Sequence, residues 1–351
     1  MEKLMKLRNR IEPRQRWREQ GVALITVMLV IALATMLAVS MMRSQHLSLR
    51  YADGLFSQNQ AMLYTQGSEA FVQDLLIRDF DNDKRENKQV DHPGESWARP
   101  FPPFPVEGGM VNARLSDMQG RFNLNLLWHE NAVNASAQTY LKQLMKNLDV
   151  PENLDSALID WMDADNEPTG ADGAEDDYYS RLPVPYRAAN QSLADVSELL
   201  LIKGFTPAIL ERLRPYVCVL PSNALLNVNT APPQVVRALT DSMTLVGAEE
   251  LAQNRPADGY PSVDAYLDEP AFNGLEASAR EGIKSFLAVR TGHFELSVDA
   301  VIGGRHSVLH AVLARGDSGT LRVVTRDYGR QFSSITTSAA SLTDMTKTET
   351  R

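Results

Sequence analysis

Hydrophobic and polar positions divide the chain into distinct stretches. From Val22 to Met42 only Thr26, Thr35 and Ser40 interrupt an apolar run without charge. A bilayer-crossing helix takes about 20 such residues, so the run is long enough to span. The pattern continues without Pro through "RSQHLSLRYADGLFSQNQAMLYTQGSEAFVQDLLIRDF", where Leu47, Tyr51, Leu55, Ala61, Tyr64, Phe71, Leu75 and Ile77 fall near helical spacing. The first half is apolar all round and the second amphipathic. One long helix is expected, with residues 22–42 in lipid and 43–80 packed on a soluble domain.

"DNDKRENKQVDHPGESWARPFPPFPVEGG" then gives a charge run followed by Pro and Gly, an exposed loop. "MVNARLSDMQGRFNLNLL" alternates as a hairpin would, turning near Gln119-Gly120, within a β segment over 105–134. Short helical segments follow over 135–290, several behind a capping residue such as Ser192 or Thr230. "HFELSVDAVIGG", "RHSVLHAVLARGDSG" and "TLRVVTRDYG" read as three strands joined by Gly turns, a second β segment over 291–330. The polar end, 331–351, is expected to be a disordered tail. Neither β segment makes a stable sheet alone, so the two are expected to form one antiparallel sheet with the helical block inserted between its strands. The fold class is α+β.

Charge adds orientation. Residues 1–21 hold seven Lys/Arg (Lys3, Lys6, Arg8, Arg10, Arg14, Arg16, Arg18) against Glu2, Glu12 and Glu19, which keeps this leader cytoplasmic and sends the bulk across the membrane. An uncleaved signal anchor fits this arrangement. A secretory signal peptide fits less well, because the apolar run is too long and no small-x-small site follows it. Gly21 offers a third reading: cleavage on the cytoplasmic side that leaves the helix on the mature chain. Formal net charge is −9. An acidic surface repels phosphate backbones and suits cations or basic partners. The single Cys218 excludes an intramolecular disulfide, and its setting in "PYVCVLP" is that of a small core residue.

The densest chemistry is "DWMDADNEPTGADGAEDD", with Asp160, Asp163, Asp165, Glu167, Asp172, Glu175, Asp176 and Asp177 inside one short stretch. Such carboxylates repel one another unless solvent or a cation neutralises them. Hard oxygen ligands interleaved with Gly backbone fit calcium best, from Asp160, Asp163, Asp165, Glu167, Glu175 and Asp176; the alternative is a solvated acidic loop. An EF-hand counted from Asp163 fails, since Pro168 takes the Gly position and Ala174 the Glu position. The six His are scattered without HExxH, and no GxSxG, Walker loop or CxxC occurs. An acid/base pair of Asp160 and Asp163 lacks an organised pocket around it, so the chain is read as no enzyme. "ELLLIKGFTPAILERLRPYV" looks like a helix-hairpin-helix unit, which in other settings holds nucleic-acid phosphates. With one Gly204 and only Lys203, Arg212 and Arg214, a packing role is the better reading, and nucleic acid is not an expected partner.

"QGVALITVMLVIALATMLAVSMM", "LSDMQGRFNLNLL", "LIDWMDADNEPTGADGAEDDYY", "PYRAANQSLADVSELLLIKG" and "LNVNTAPPQVVRAL" together resemble the general secretion pathway K proteins. These are large minor pseudopilins of the type II secretion system. The likeness runs from Gly21 to about Tyr328. It implies a pilin-like long N-terminal helix and sheet with the inserted α-domain, and calcium in the soluble part. It also implies inner-membrane anchoring with the bulk in the periplasm, assembly with I-type and J-type minor pseudopilins at the pseudopilus tip, and contact with other pseudopilins. A prepilin peptidase would cut after Gly21 and methylate Val22. Most pilins carry Glu at the fifth mature position; counting from Val22, that position here is Thr26. A carboxylate in lipid without its partner is costly, so its loss suits the top of a filament, where the usual contact is dispensable.

Overall fold

The computed structural model describes residues 14–129 and 131–329, with side chains from Val22 onward. The first part of the leader and the 331–351 tail lie outside the described residues. The chain divides into two compact units, up to Gln60 and from Ala61. Helix α1, Arg14–Glu86, runs through both.

In the first unit the apolar side chains from Val22 to Met42 are solvent-facing, as a lipid-embedded segment requires. This is the one helix among the described residues long and apolar enough to cross a membrane. Within it the Thr26 hydroxyl donates to Ala23 O (2.8 Å) and the Thr35 hydroxyl to Ile31 O (2.8 Å). Both polar groups are therefore satisfied by their own helix.

In the second unit α1 buries Ala61, Thr65, Glu69, Val72, Leu76 and Phe80. Steps of four and three keep these residues on one face. The sequence placed Phe71 and Ile77 on the packed face, yet both are exposed. Two polar residues hold that ground instead. Glu69 accepts two hydrogen bonds from Arg326 (both 2.7 Å) and one from Gln73 (2.9 Å).

That face covers a five-stranded antiparallel sheet: β1 Phe104–Val106, β2 Gly109–Asp117, β3 His293–Ile302, β4 Arg305–Arg315 and β5 Leu321–Asp327, in the spatial order of their numbering. Alternation drives the pairing. Phe294, Leu296, Val298, Ala300 and Ile302 all point into the core, together with Leu309, Ala311 and Leu313 of β4. Gly303 and Gly304, with φ of 54° and 75°, supply the left-handed turn that joins β3 to β4.

Between β2 and β3 the chain makes a separate helical core. The expected hairpin over 110–127 does not form. Phe122–Asn123 pairs in parallel with Val217–Cys218 instead, and Phe122, Leu124 and Leu127 join Tyr140, Leu141, Leu158, Trp161, Tyr266 and Phe286 in the inserted core. The sheet thus starts at Phe104 and takes the 105–134 segment only as far as Asp117. Phe122 packs among the helices instead, its ring centre 4.6 Å from that of Tyr140. Helix α2, Ala135–Asn147, is capped by the Asn134 side chain, which accepts from Ser136 N and Ala137 N (3.2 and 3.1 Å). Cys218 lies buried, its thiol pushed up to about 12 by burial.

Candidate metal centre

Helix α3, Leu154–Met162, carries Asp160 on its last turn and ends at Asp163, where the backbone turns extended. The acidic loop then doubles back on the helix. Asp160 holds it there, its two oxygens accepting from Thr169 N (3.0 and 3.1 Å) and Oδ2 also from Ala174 N (2.6 Å). Gly173 makes the close approach possible, because a Cβ there would overlap Asp160 Oδ2 and Thr169 N. Lys203 Nζ donates to Gly173 O (2.9 Å) and fixes the loop from the other side. Glu175 follows in extended geometry and opens the short helix Asp176–Tyr179.

The fold brings Asp160, Asp163 and Glu175 together. Each offers an oxygen within 4.8 Å of the other two, and the three residues are 0, 4 and 1% exposed. Among the described residues, Asp163 Oδ1 and both Glu175 oxygens are buried without any hydrogen-bond partner. Asn190 Oδ1 is likewise buried and unpartnered, while its amide donates to Asp165 O (3.3 Å). Burial, then the charges of Asp165 and Asp160, push the Asp163 carboxyl up to about 6. Burial, then Asp160, Asp163, Asp165 and Asp176, push Glu175 up to about 8. Buried anions with open lone pairs cost several kcal/mol each unless a cation or proton neutralises them. The donor set is all hard oxygen, the chemistry that calcium prefers.

The other candidates sit differently. Asp165 is exposed and accepts from Glu167 N (2.8 Å), and Glu167 is itself exposed. Asp176 accepts from Ala188 N (3.0 Å) and faces Arg187 at 3.8 Å. The helix-hairpin-helix-like stretch forms the turn Val196–Leu201 and the helix Pro207–Leu213 around Gly204. Its cations bind the chain itself: Lys203 as above, Arg212 on Asp149 O (2.9 Å) and Arg214 near Glu211 (3.8 Å). That arrangement supports packing over phosphate recognition.

A second cluster escaped the sequence reading. Asp79, Asp91 and Glu95 also bring oxygens within 4.8 Å of one another, beside Arg315. Arg315 lies 224 positions from Asp91, so no local pattern reveals the pairing. The "LNVNTA" motif joins this region to the sheet. Asn227 Nδ2 donates toward Asp91 O (3.0 Å), Thr291 Oγ1 (2.9 Å) and Asp117 (3.2 Å). Thr230 and Thr291 hydroxyls both donate to Asp117 Oδ2 (2.5 Å each).

Fold and site together define a membrane-anchored α+β protein whose sheet carries an inserted, acid-looped helical domain. Two family models described as "Type II secretion system (T2SS), protein K" match residues 120–222 and 226–290. The chain is 36% identical to the type II secretion system protein K of Pseudomonas aeruginosa, covering 89% of this chain and 93% of that one. It is 33% identical to the protein K of Aeromonas hydrophila, covering 88% and 97%. The GspK-GspI-GspJ complex from enterotoxigenic Escherichia coli contains a chain matching at a TM-score of 0.69 and 28% identity, over 78% of this chain and 97% of that one. This chain belongs to the type II secretion system protein K family.

Proposed function

We propose that the chain is a minor pseudopilin that assembles with I-type and J-type partners at the tip of the type II pseudopilus, where it initiates or caps the filament for protein export. The observation that carries this reading is the helical domain of residues 118–292 inserted between β2 and β3 of a sheet packed on an anchoring helix. An insertion of that bulk, repeated at each subunit of a narrow filament, would clash; a single copy at the end has open space. Exposed Leu47, Leu55, Leu63 and Phe71 along α1 supply apolar surface for neighbouring helices of partner subunits. The anchor lies in the inner membrane, and the role is structural rather than enzymatic.

Maturation by a prepilin peptidase, cutting after Gly21 and methylating Val22, follows from the same reading. Mass spectrometry of the mature protein should find Val22 at its N-terminus, and functional protein retaining Met1 would exclude it. Calcium is the cation proposed for Asp160, Asp163 and Glu175, supported by their unpartnered buried oxygens. The ion would neutralise the loop and hold it against α3. Co-expression tests the assembly: the full chain should co-purify from detergent with I- and J-type partners in fixed proportion. A chain that purifies alone in their presence would overturn it.

A further inference from the structure

The cluster at the end of α1 differs from the acidic loop, because it is already furnished with donors. Arg315 Nη2 donates to Asp91 Oδ1 and to Thr291 O (2.8 Å), and Thr291 N donates to Asp91 Oδ2 (2.7 Å). The guanidinium is fixed between the rings of Phe80 and Phe294, 5.8 and 5.0 Å from their centres. Asp79 receives Arg315 Nη1 only at 3.5 Å. Glu95 Oε2 accepts from His92 N (3.1 Å) and Trp97 Nε1 (2.6 Å), while Oε1 lies 3.8 Å from His92 Nε2. One guanidinium thus serves Asp79 and Asp91, and among the described residues no Lys or Arg pairs with Glu95, the third carboxylate of the cluster.

Other charges nearby do not close the gap. On α1, Asp83 adds negative charge, partly offset by Arg290. Gly94 N donates to His92 Nδ1 (3.2 Å), so that nitrogen carries no proton and the imidazole is no cation; burial lowers the His92 value in the same direction. Lys88 is paired with Asp258 at the surface (3.0 Å). Asp117, on β2, is satisfied by its own donors from Thr230 and Thr291. With Asp79 and Asp91 close by and no second cation, Glu95 is neutralised more cheaply by a proton than held as a third charge.

These groups lie where three parts meet. Asp79 belongs to α1 and Arg315 to β4. Asp91 and Glu95 belong to the segment 87–103, which bonds the inserted domain through Asp91 N to Val289 O (2.9 Å). We propose that segment 87–103 is a proton-held latch: Glu95, held beside Asp79 and Asp91, keeps a proton, and losing that proton to solvent frees the segment from α1 and the inserted domain. Burial first, then Asp79 and Asp91, push Glu95 up to about 9, and Asp79 is raised to about 7, mainly by burial. A raised carboxyl contributes stability that is fully present below the ordinary carboxylate range and is lost as pH rises through its folded value. The latch is therefore closed at neutral pH and opens under alkaline conditions.

Native-state hydrogen exchange on the full chain in detergent micelles, with saturating calcium to hold the acidic loop constant, tests this. Between pH 7 and 9 the opening constant of amides in 87–103, with the intrinsic exchange rate divided out, should rise about tenfold per pH unit for one proton released. Glu95→Gln, whose amide can donate in place of the proton, should flatten that rise. If this variant misfolds, Asp79→Asn serves: removing the neighbouring charge should make the rise level off at lower pH than in wild type. A wild-type opening constant independent of pH, an unchanged slope in Glu95→Gln, or an unmoved plateau in Asp79→Asn would overturn the latch.

Discussion

Asp163 Oδ1 and both Glu175 oxygens are buried without donors, while Asp160, one turn earlier, spends its oxygens on Thr169 and Ala174 amides. Asp160 shapes the loop, and the other two leave charge to be met. With their values raised to about 6 and 8, the loop freed of metal is stabilised by their protons and loses that stability as pH rises through this range. A cation competes with those protons, so calcium should bind more tightly at pH 8 than at pH 5.5. EGTA should lower the melting temperature of the full chain, more at pH 8, and added calcium should restore it. A hundredfold excess over Kd corresponds to about 2.7 kcal/mol. Asp163→Asn with Glu175→Gln should remove the calcium response; an EGTA-insensitive wild type would contradict the site. The acidic run itself was plain in the sequence. Its division was not, because which carboxylates turn inward depends on where α3 stops and on Gly173 admitting the loop beneath Asp160.

Among the elements, β3, β4 and β5 were legible as strand-like runs joined by Gly turns, the first at Gly303-Gly304. The long helix was equally plain from its length without Pro, although its packed face was not. Thr65 and Glu69 occupy that face because Ser307 and Arg326, far along the chain, meet them. An apolar-periodicity reading therefore shifts toward Phe71 and Ile77. The two faces separate experimentally. Leu76→Ala, at a fully buried site, should cost about 2–5 kcal/mol in denaturant unfolding. Leu63→Ala, 66% exposed, should change stability by less than about 0.5 kcal/mol yet weaken co-purification with the partner pseudopilins. Equal stability losses at both positions would refute this division of the helix.

At the scale of the molecule, the sequence order of strands, helices and strands implied an inserted domain, and the sheet order β1 to β5 with the interruption after β2 shows it. The Asp117, Asn227, Thr291 and Arg315 network that joins the two cores was not readable, since its members lie in four separate parts of the chain. A domain joined to the sheet through buried polar bonds adds its bulk wherever the subunit sits. On the proposed function, that bulk is what would confine the subunit to the end of a filament. Immunogold labelling of sheared pseudopili with antibody to the inserted domain tests the assignment most directly. Label at one end of each filament is the expected result; regular label along the shaft would contradict the account.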